Sequence, residues 1–165
     1  MTIATLGFLF KNGQIILAPK KRKIGAGKLN GYGGKLEENE NTLECLLREI
    51  EKECEVIVEK GKCKELGCID FSFENKEALN MKVYIYRIDE FLGEPKESEE
   101  MGKPEEFDVN KIPYDQMTVG DDKFIPFVID GKKFRGEIHF SESGKELLKC
   151  VVSEIGNENS EIKMK

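Results

Sequence analysis

The sequence predicts a single mixed α/β (α+β) domain, and three of its features carry that expectation. Strand-type runs open the chain and recur along it, an amphipathic helical stripe lies at residues 42–54, and no linker, repeat or composition break divides the 165 residues. A chain of this length buries a real core without disulfide or metal staples. With 39% hydrophobic and 35% charged residues, it belongs with folded rather than disordered chains.

The elements follow in order. Residues 2–10 are a core strand, and Asn12-Gly13 between two apolar runs is a strong hairpin signal that returns the chain over residues 14–18. A glycine-rich loop spans residues 25–34. Leu43, Leu46, Leu47, Ile50 and Cys54 recur at offsets of three and four, giving a helix over 42–54, with Asn41 and Glu44 able to form a capping box at its start. Residues 64–73 and 81–88 are strand-like, the latter alternating in part at Val83 and Ile85. A loop rich in Gly, Pro and Glu (93–104) precedes the short run 106–109. The turn-rich segment 112–122 then leads to the apolar run 124–128, and residues 133–140 form a further strand. Leu147, Leu148, Val151, Val152 and Ile155 share one stripe of a final helix over 144–155. The domain thus covers residues 1–156, and the polar residues 157–165 form a frayed tail.

Composition narrows the function. Thirty-two acidic residues against 26 basic ones leave a net charge of -6, which argues against binding a nucleic acid polymer. It does not argue against small phosphorylated ligands, because a divalent metal can carry the positive charge. Five cysteines with no CxxC pair and a single His suit a reduced cytoplasmic protein whose thiols act as small buried hydrophobes. No stretch approaches the ~20 apolar residues of a membrane span. The N-terminus lacks the basic region and cleavage site of a signal peptide. Gly25-Ala-Gly-Lys28 is not a P-loop, and His139, the lone histidine, sits in a late strand where it supports no seryl or cysteinyl nucleophile.

One segment carries chemistry: Gly34-x5-Glu40-x7-Arg48-Glu49-Ile50-x-x-Glu53. Glu49 and Glu53 are four residues apart on one helix, so both carboxylates point the same way. Two such charges ~4 Å apart repel by about 4 kcal/mol at an effective dielectric near 20. A hard, oxygen-seeking cation such as Mg2+ would relieve that repulsion. The Gly31-Tyr-Gly-Gly34 loop lets backbone approach a ligand closely and can offer a carbonyl to the same metal. Taken alone, glutamates at this spacing on an acidic chain would also be read as a solvated helix face.

This segment resembles the Nudix box, Gx5Ex7REUxEExGU with U a large aliphatic residue, of the Nudix hydrolases. Gly34, Glu40, Arg48, Glu49, Ile50, Glu53 and Val56 match it, whereas Lys52 replaces the first Glu of the EE pair and Glu55 replaces the Gly. Lys20-Lys-Arg22, the run from Gly25 to Lys35, Glu97-Ser-Glu-Glu-Met101 and Ile112-Pro-Tyr114 extend the resemblance to the branch that hydrolyses oxidised purine nucleoside triphosphates. Met117, Asp121, Pro126 and Lys132-Lys-Phe134 carry it towards the C-terminus.

The resemblance implies an α/β/α sandwich with a mixed sheet between the 42–54 helix and the C-terminal helix. It implies Mg2+, with Mn2+ as a substitute, held by the Gly33 carbonyl, Glu49, Glu53 and Glu100. Glu40 would support the loop, Arg48 would orient the glutamates, and Glu49 is the natural candidate for a general base. The Lys52 ammonium would stand near the carboxylates and partly replace a cation, so fewer Mg2+ ions are expected in the resting site. A base pocket across the sheet would use Thr5, Lys20, Asn30, Phe71, Met81 and the Gly120-Asp121 pair. Thr118 falls where the branch has a stacking Trp, Gly120 where it has the first of paired aspartates, and Ile24 and Leu29 where it has aromatic residues. A one-residue shift restores the pair as Asp121-Asp122. The implied reaction is metal-dependent hydrolysis of a nucleoside triphosphate such as 8-oxo-dGTP to the monophosphate and pyrophosphate, by a monomer that cleanses the nucleotide pool and so serves DNA repair. The alternatives are a Nudix hydrolase of another nucleotide and a non-catalytic nucleotide-binding module of the same fold.

Overall fold

The computed structural model describes residues 1–156; the expected tail at 157–165 lies outside the described residues. Nine strands form one mixed sheet with a helix on each face. β1 (Thr2–Lys11) turns at Asn12-Gly13, both at positive φ, into β2 (Gln14–Pro19). The glycine-rich segment, expected as loop, contains two short strands, β3 (Leu29–Asn30) and β4 (Tyr32–Lys35). α1 (Thr42–Cys54) follows, then β5 (Cys63–Phe73), β6 (Met81–Ile88) and β7 (Glu105–Asp108). The apolar run after Phe124 is a short helix, α2 (Ile125–Asp130), with Pro126 in its first turn and Gly131 closing it in the left-handed conformation. β8 (Phe134–Phe140) and β9 (Leu147–Glu154) end the described chain.

The strands lie in the order β3-β2-β1-β6-β5-β8-β9, with β4 against β1 and β7 against β2. β1 runs parallel to β6, from Thr2 opposite Met81 to Leu9 opposite Ile88, and β5 runs parallel to β8. A parallel pair needs a long crossover, and α1 lies within the one that joins β1 to β6. Its expected capping box is present: Glu44 N–H donates to Asn41 Oδ1 at 2.8 Å, and Asn41 N–H to Glu44 Oε1 at 3.0 Å.

Because strand side chains alternate, β1 feeds two cores. Ala4, Phe8 and Phe10 join Val83, Ile85, Phe124, Ile125 and Val128 under α2. Leu9 joins Leu46, Ile50, Cys54 and Tyr32 under α1. Covered on both faces, the strand is apolar along most of its length. Gly7 sits where α1 packs tightly on β1, since a Cβ there would lie 2.8 Å from Leu46 Cδ1.

The expected C-terminal helix over 144–155 is absent. Those residues hold β9, antiparallel to β8 from Phe140 opposite Leu147 to Phe134 opposite Glu154. A register shift between His139 and Phe140 leaves Leu148 as a bulge, so the inward residues become Leu147, Cys150 and Val152. Their uneven spacing mimics a helical stripe. The second helical layer of the α/β/α sandwich is α2 instead.

Candidate active site

α1 presents Glu49 and Glu53 toward the β1–β4 edge, and both are buried, at 7% and 8% exposure. The β4 glycines make room for them. A Cβ on Gly34 would lie 2.6 Å from the Glu49 carboxyl carbon, and one on Gly33 would lie 1.9 Å from the Thr5 carbonyl oxygen. Gly33 N–H donates to Glu53 Oε1 at 3.0 Å.

Arg48 ties this corner together. Its Nε donates to Glu40 Oε2 at 2.6 Å and its Nη2 to Glu40 Oε1 at 2.8 Å, a two-point fork. Nη1 pairs with Glu49, and Nη2 also reaches the Lys35 carbonyl at 3.2 Å. The Arg48 hydrogen bonds hold the Glu40 carboxyl down to about 2. Burial, reinforced by the Glu49 and Glu100 charges and opposed by the Gly33 hydrogen bond and Lys20, pushes Glu53 up to about 7.

Glu100 lies on the 93–104 loop, within the electrostatic reach of Glu53. Its carboxylate pairs with Arg22 Nη2 at 3.0 Å. Among the described residues, no three acidic, His or Cys side chains are already gathered as a metal cluster. The donors nevertheless suit a hard divalent cation: two buried carboxylates that repel each other, and a glycine cradle that no side chain can enter. Lys20 stands nearby, its Nζ donating to the Ile24 carbonyl at 2.7 Å and its ammonium pushed downward in pKa by burial. Lys52 is exposed and makes no ion pair among the described residues, so no contact of this kind ties its ammonium to the carboxylates.

The residues expected to bind the base divide between the sheet faces. Phe71 and Met81 oppose one another on β5 and β6, on the α2 side, and Phe71 stacks on Phe140 with centroids 6.0 Å apart. Asp121 is 6% exposed and burial pushes its carboxyl up to about 7. Gly120 precedes it at φ 101°, a conformation that favours glycine, under Leu147 and Ile138. Asn30 Oδ1 accepts from Gly31 N–H at 2.8 Å, holding its own turn. Thr118 lies near Gly25 and Lys20, at the mouth of the glycine-rich segment. The Thr5 hydroxyl is buried 3.4 Å from Cys45 Sγ of α1, on the sheet face opposite Phe71 and Met81. Strand alternation puts it there, beside Tyr84 rather than Val83.

Arg22 and Cys45 also lie against the residues of this site, Arg22 against Glu100 and Cys45 against Arg48. The Lys20-Lys-Arg22 run is the sequence signal for the first. All five thiols are free, and Cys45, fully buried, packs between Thr5 and Arg48. His139 accepts or donates a hydrogen bond with Ser72 Oγ at 2.7 Å on β8, far along the sheet order from α1. No described helix is long and apolar enough to cross a membrane.

A family profile described as the NUDIX domain matches residues 2–128. The chain is 38% identical over 138 residues to the oxidized purine nucleoside triphosphate hydrolase of Danio rerio, covering 84% of this chain and 86% of that protein. It is 34% identical to the Mus musculus protein of the same name, with the same coverage. A mutator MutT protein from Bacillus halodurans has the same fold, with a TM-score of 0.80 at 24% identity over 93% of this chain and 98% of that one. A MutT protein from Methanosarcina mazei shares it at a TM-score of 0.62 and 21% identity, over 80% and 96% of the two chains.

Proposed function

This chain belongs to the NUDIX family, and from that premise we propose that it hydrolyses an oxidised purine nucleoside triphosphate, such as 8-oxo-dGTP, to the monophosphate and pyrophosphate. The observation that carries this reading is the buried Glu49 and Glu53 pair, braced by Arg48 and Glu40 and roofed by glycine. The names of the curated relatives support the choice of substrate.

Glu49, Glu53, Glu100 and the Gly33 carbonyl would hold Mg2+, or Mn2+ in its place. A divalent cation bound there supplies neutralisation of the phosphate charge and a lowered pKa for the attacking water. The chain's own residues do the rest. Arg48 holds Glu49 in one orientation, and the Gly33 N–H does the same for Glu53. Glu49 is the candidate base that takes the water's proton. Phe71 and Met81 would wall the base, and Asn30 would meet its edge. Asp121, poised near neutrality, would offer a donor when protonated and an acceptor when ionised. Lys20, within electrostatic reach of Glu53, would meet the phosphates.

Pyrophosphate release with Mg2+ across 8-oxo-dGTP, 2-hydroxy-dATP and the unmodified nucleotides tests the reading. Preference for an oxidised purine, lost in Glu53→Gln, is the expected result. Equal rates across the panel would assign another substrate, and nucleotide binding without pyrophosphate release would make the chain a binding module. Activity undiminished in Glu53→Gln would overturn the metal site.

A further inference from the structure

Two arginines meet the acidic cluster, and they meet it differently. Arg48 is 29% exposed and grips Glu40 by two nitrogens, with Glu49 and the Lys35 carbonyl as further partners. That guanidinium is fully committed. Arg22 is 54% exposed and holds Glu100 by Nη2 alone at 3.0 Å, with Glu99 at 3.5 Å. A single-point, half-exposed ion pair is worth little and exchanges readily.

Glu100, in contrast, is anchored at its backbone. Lys21 N–H donates to the Glu100 carbonyl at 2.9 Å, Glu100 N–H donates to Ser98 Oγ at 3.3 Å, and the next residue, Met101, is buried and bridged to Lys20. Only the side chain remains free to choose a partner. It lies within reach of Glu53's field, yet it is turned to Arg22 and no three-carboxylate group forms.

Resting on the Glu100 assignment above, we propose that Arg22 is a phosphate-binding residue held in reserve. In the free protein its guanidinium is latched to Glu100, and nucleotide binding transfers it from that carboxylate to the triphosphate, which frees Glu100 for the cation. The chemistry favours the exchange, because a triphosphate offers planar arginine several charged oxygens in place of one carboxylate. No covalent bond changes. The latch makes metal and nucleotide binding mutually reinforcing, since each removes what opposes the other.

The test uses Mn2+ titrated into the full chain without nucleotide, read by electron paramagnetic resonance, and a non-hydrolysable α,β-imido nucleoside triphosphate read by calorimetry. Arg22→Gln should bind Mn2+ about two- to fivefold more tightly than the parent, the size of an exposed ion pair. It should bind the analogue several-fold more weakly, and its KM should rise while kcat changes by less than about twofold. Arg22→Lys, which keeps the charge without the fork, should fall between. Glu100→Gln separates the two levels of the reading. If it leaves Mn2+ affinity unchanged, the Glu100 assignment fails and the latch with it. If it weakens Mn2+ while Arg22→Gln does not tighten it, or if Arg22→Gln binds the analogue as well as the parent does, the latch alone is overturned.

Discussion

Glu49 occupies the space that a side chain on Gly34 would fill: a Cβ there would meet the carboxyl carbon at 2.6 Å and Oε2 at 2.8 Å. The glycine of the box is therefore a steric requirement of its glutamate. Gly34→Ala must displace Glu49 or part α1 from β4. Overpacking of this kind costs about 1–3 kcal/mol. We expect a melting temperature lower by several degrees and pyrophosphate release reduced at least tenfold, both measurable on the purified variant. Parent-like melting and activity would contradict the close packing.

Glu53 gives a prediction in pH. Its pKa is raised from an ordinary 4.5 to about 7 in the fold, chiefly by burial. The folded state therefore holds a proton that the unfolded chain releases, and the stability this contributes is fully present below about pH 4.5 and is lost as pH rises through 7. The span corresponds to roughly 3 kcal/mol at most. Glu53→Gln should thus abolish activity yet melt higher than the parent at pH 8 without metal. The gap should close near pH 5. Mg2+ should raise the parent's melting temperature and leave the variant's nearly unchanged. A variant that melts lower than the parent at pH 8 would refute the buried, strained carboxylate.

Lys52 stands where the box pattern has a glutamate, and its side chain is exposed and unpaired among the described residues. Lys52→Glu adds a carboxylate on α1 between Glu49 and Glu53. We expect it to increase the number of Mn2+ ions bound at saturation and to shift the Mg2+ dependence of the rate. Unchanged stoichiometry and metal order would count against a role for Lys52 in setting the metal number.

Glu55 caps α1 in the left-handed conformation, at φ 58° and ψ 33°, with its N–H donating to the Glu51 carbonyl. The box pattern has glycine at this position, and a side chain here carries the left-handed penalty. Glu55→Gly should stabilise the protein by about 0.5–1 kcal/mol, a rise of roughly 1–4 °C in melting temperature. Activity should stay near the parent value. A lower melting temperature would show that Glu55 makes a compensating contact.

How much of this could be read in advance depended on range. α1 was legible at both ends because its cap and its apolar stripe are local. Glu49 and Glu53 follow from the same helical period. The face that Thr5 takes was not legible, because β1 is covered on both faces and a strand apolar along most of its length does not say which residue faces which helix. β9 was misread because a bulge at Leu148 spaced its inward residues like a helix. Nothing local announces a bulge whose meaning lies in a partner strand.

The composition and the box spacing by themselves determined the family resemblance and a pair of carboxylates on one helical face. These are matters of period and short-range spacing, which neighbouring residues settle. Only the tertiary structure decided that Glu53 is buried enough to hold its proton near neutrality, that Gly34 exists to admit Glu49, and that Glu100 is turned to Arg22. The acidic balance of the chain had suggested only repulsion from nucleic acid. Folding places a few of those acids out of water and against each other, and desolvation and charge repulsion at short distance are properties of position that no residue carries alone.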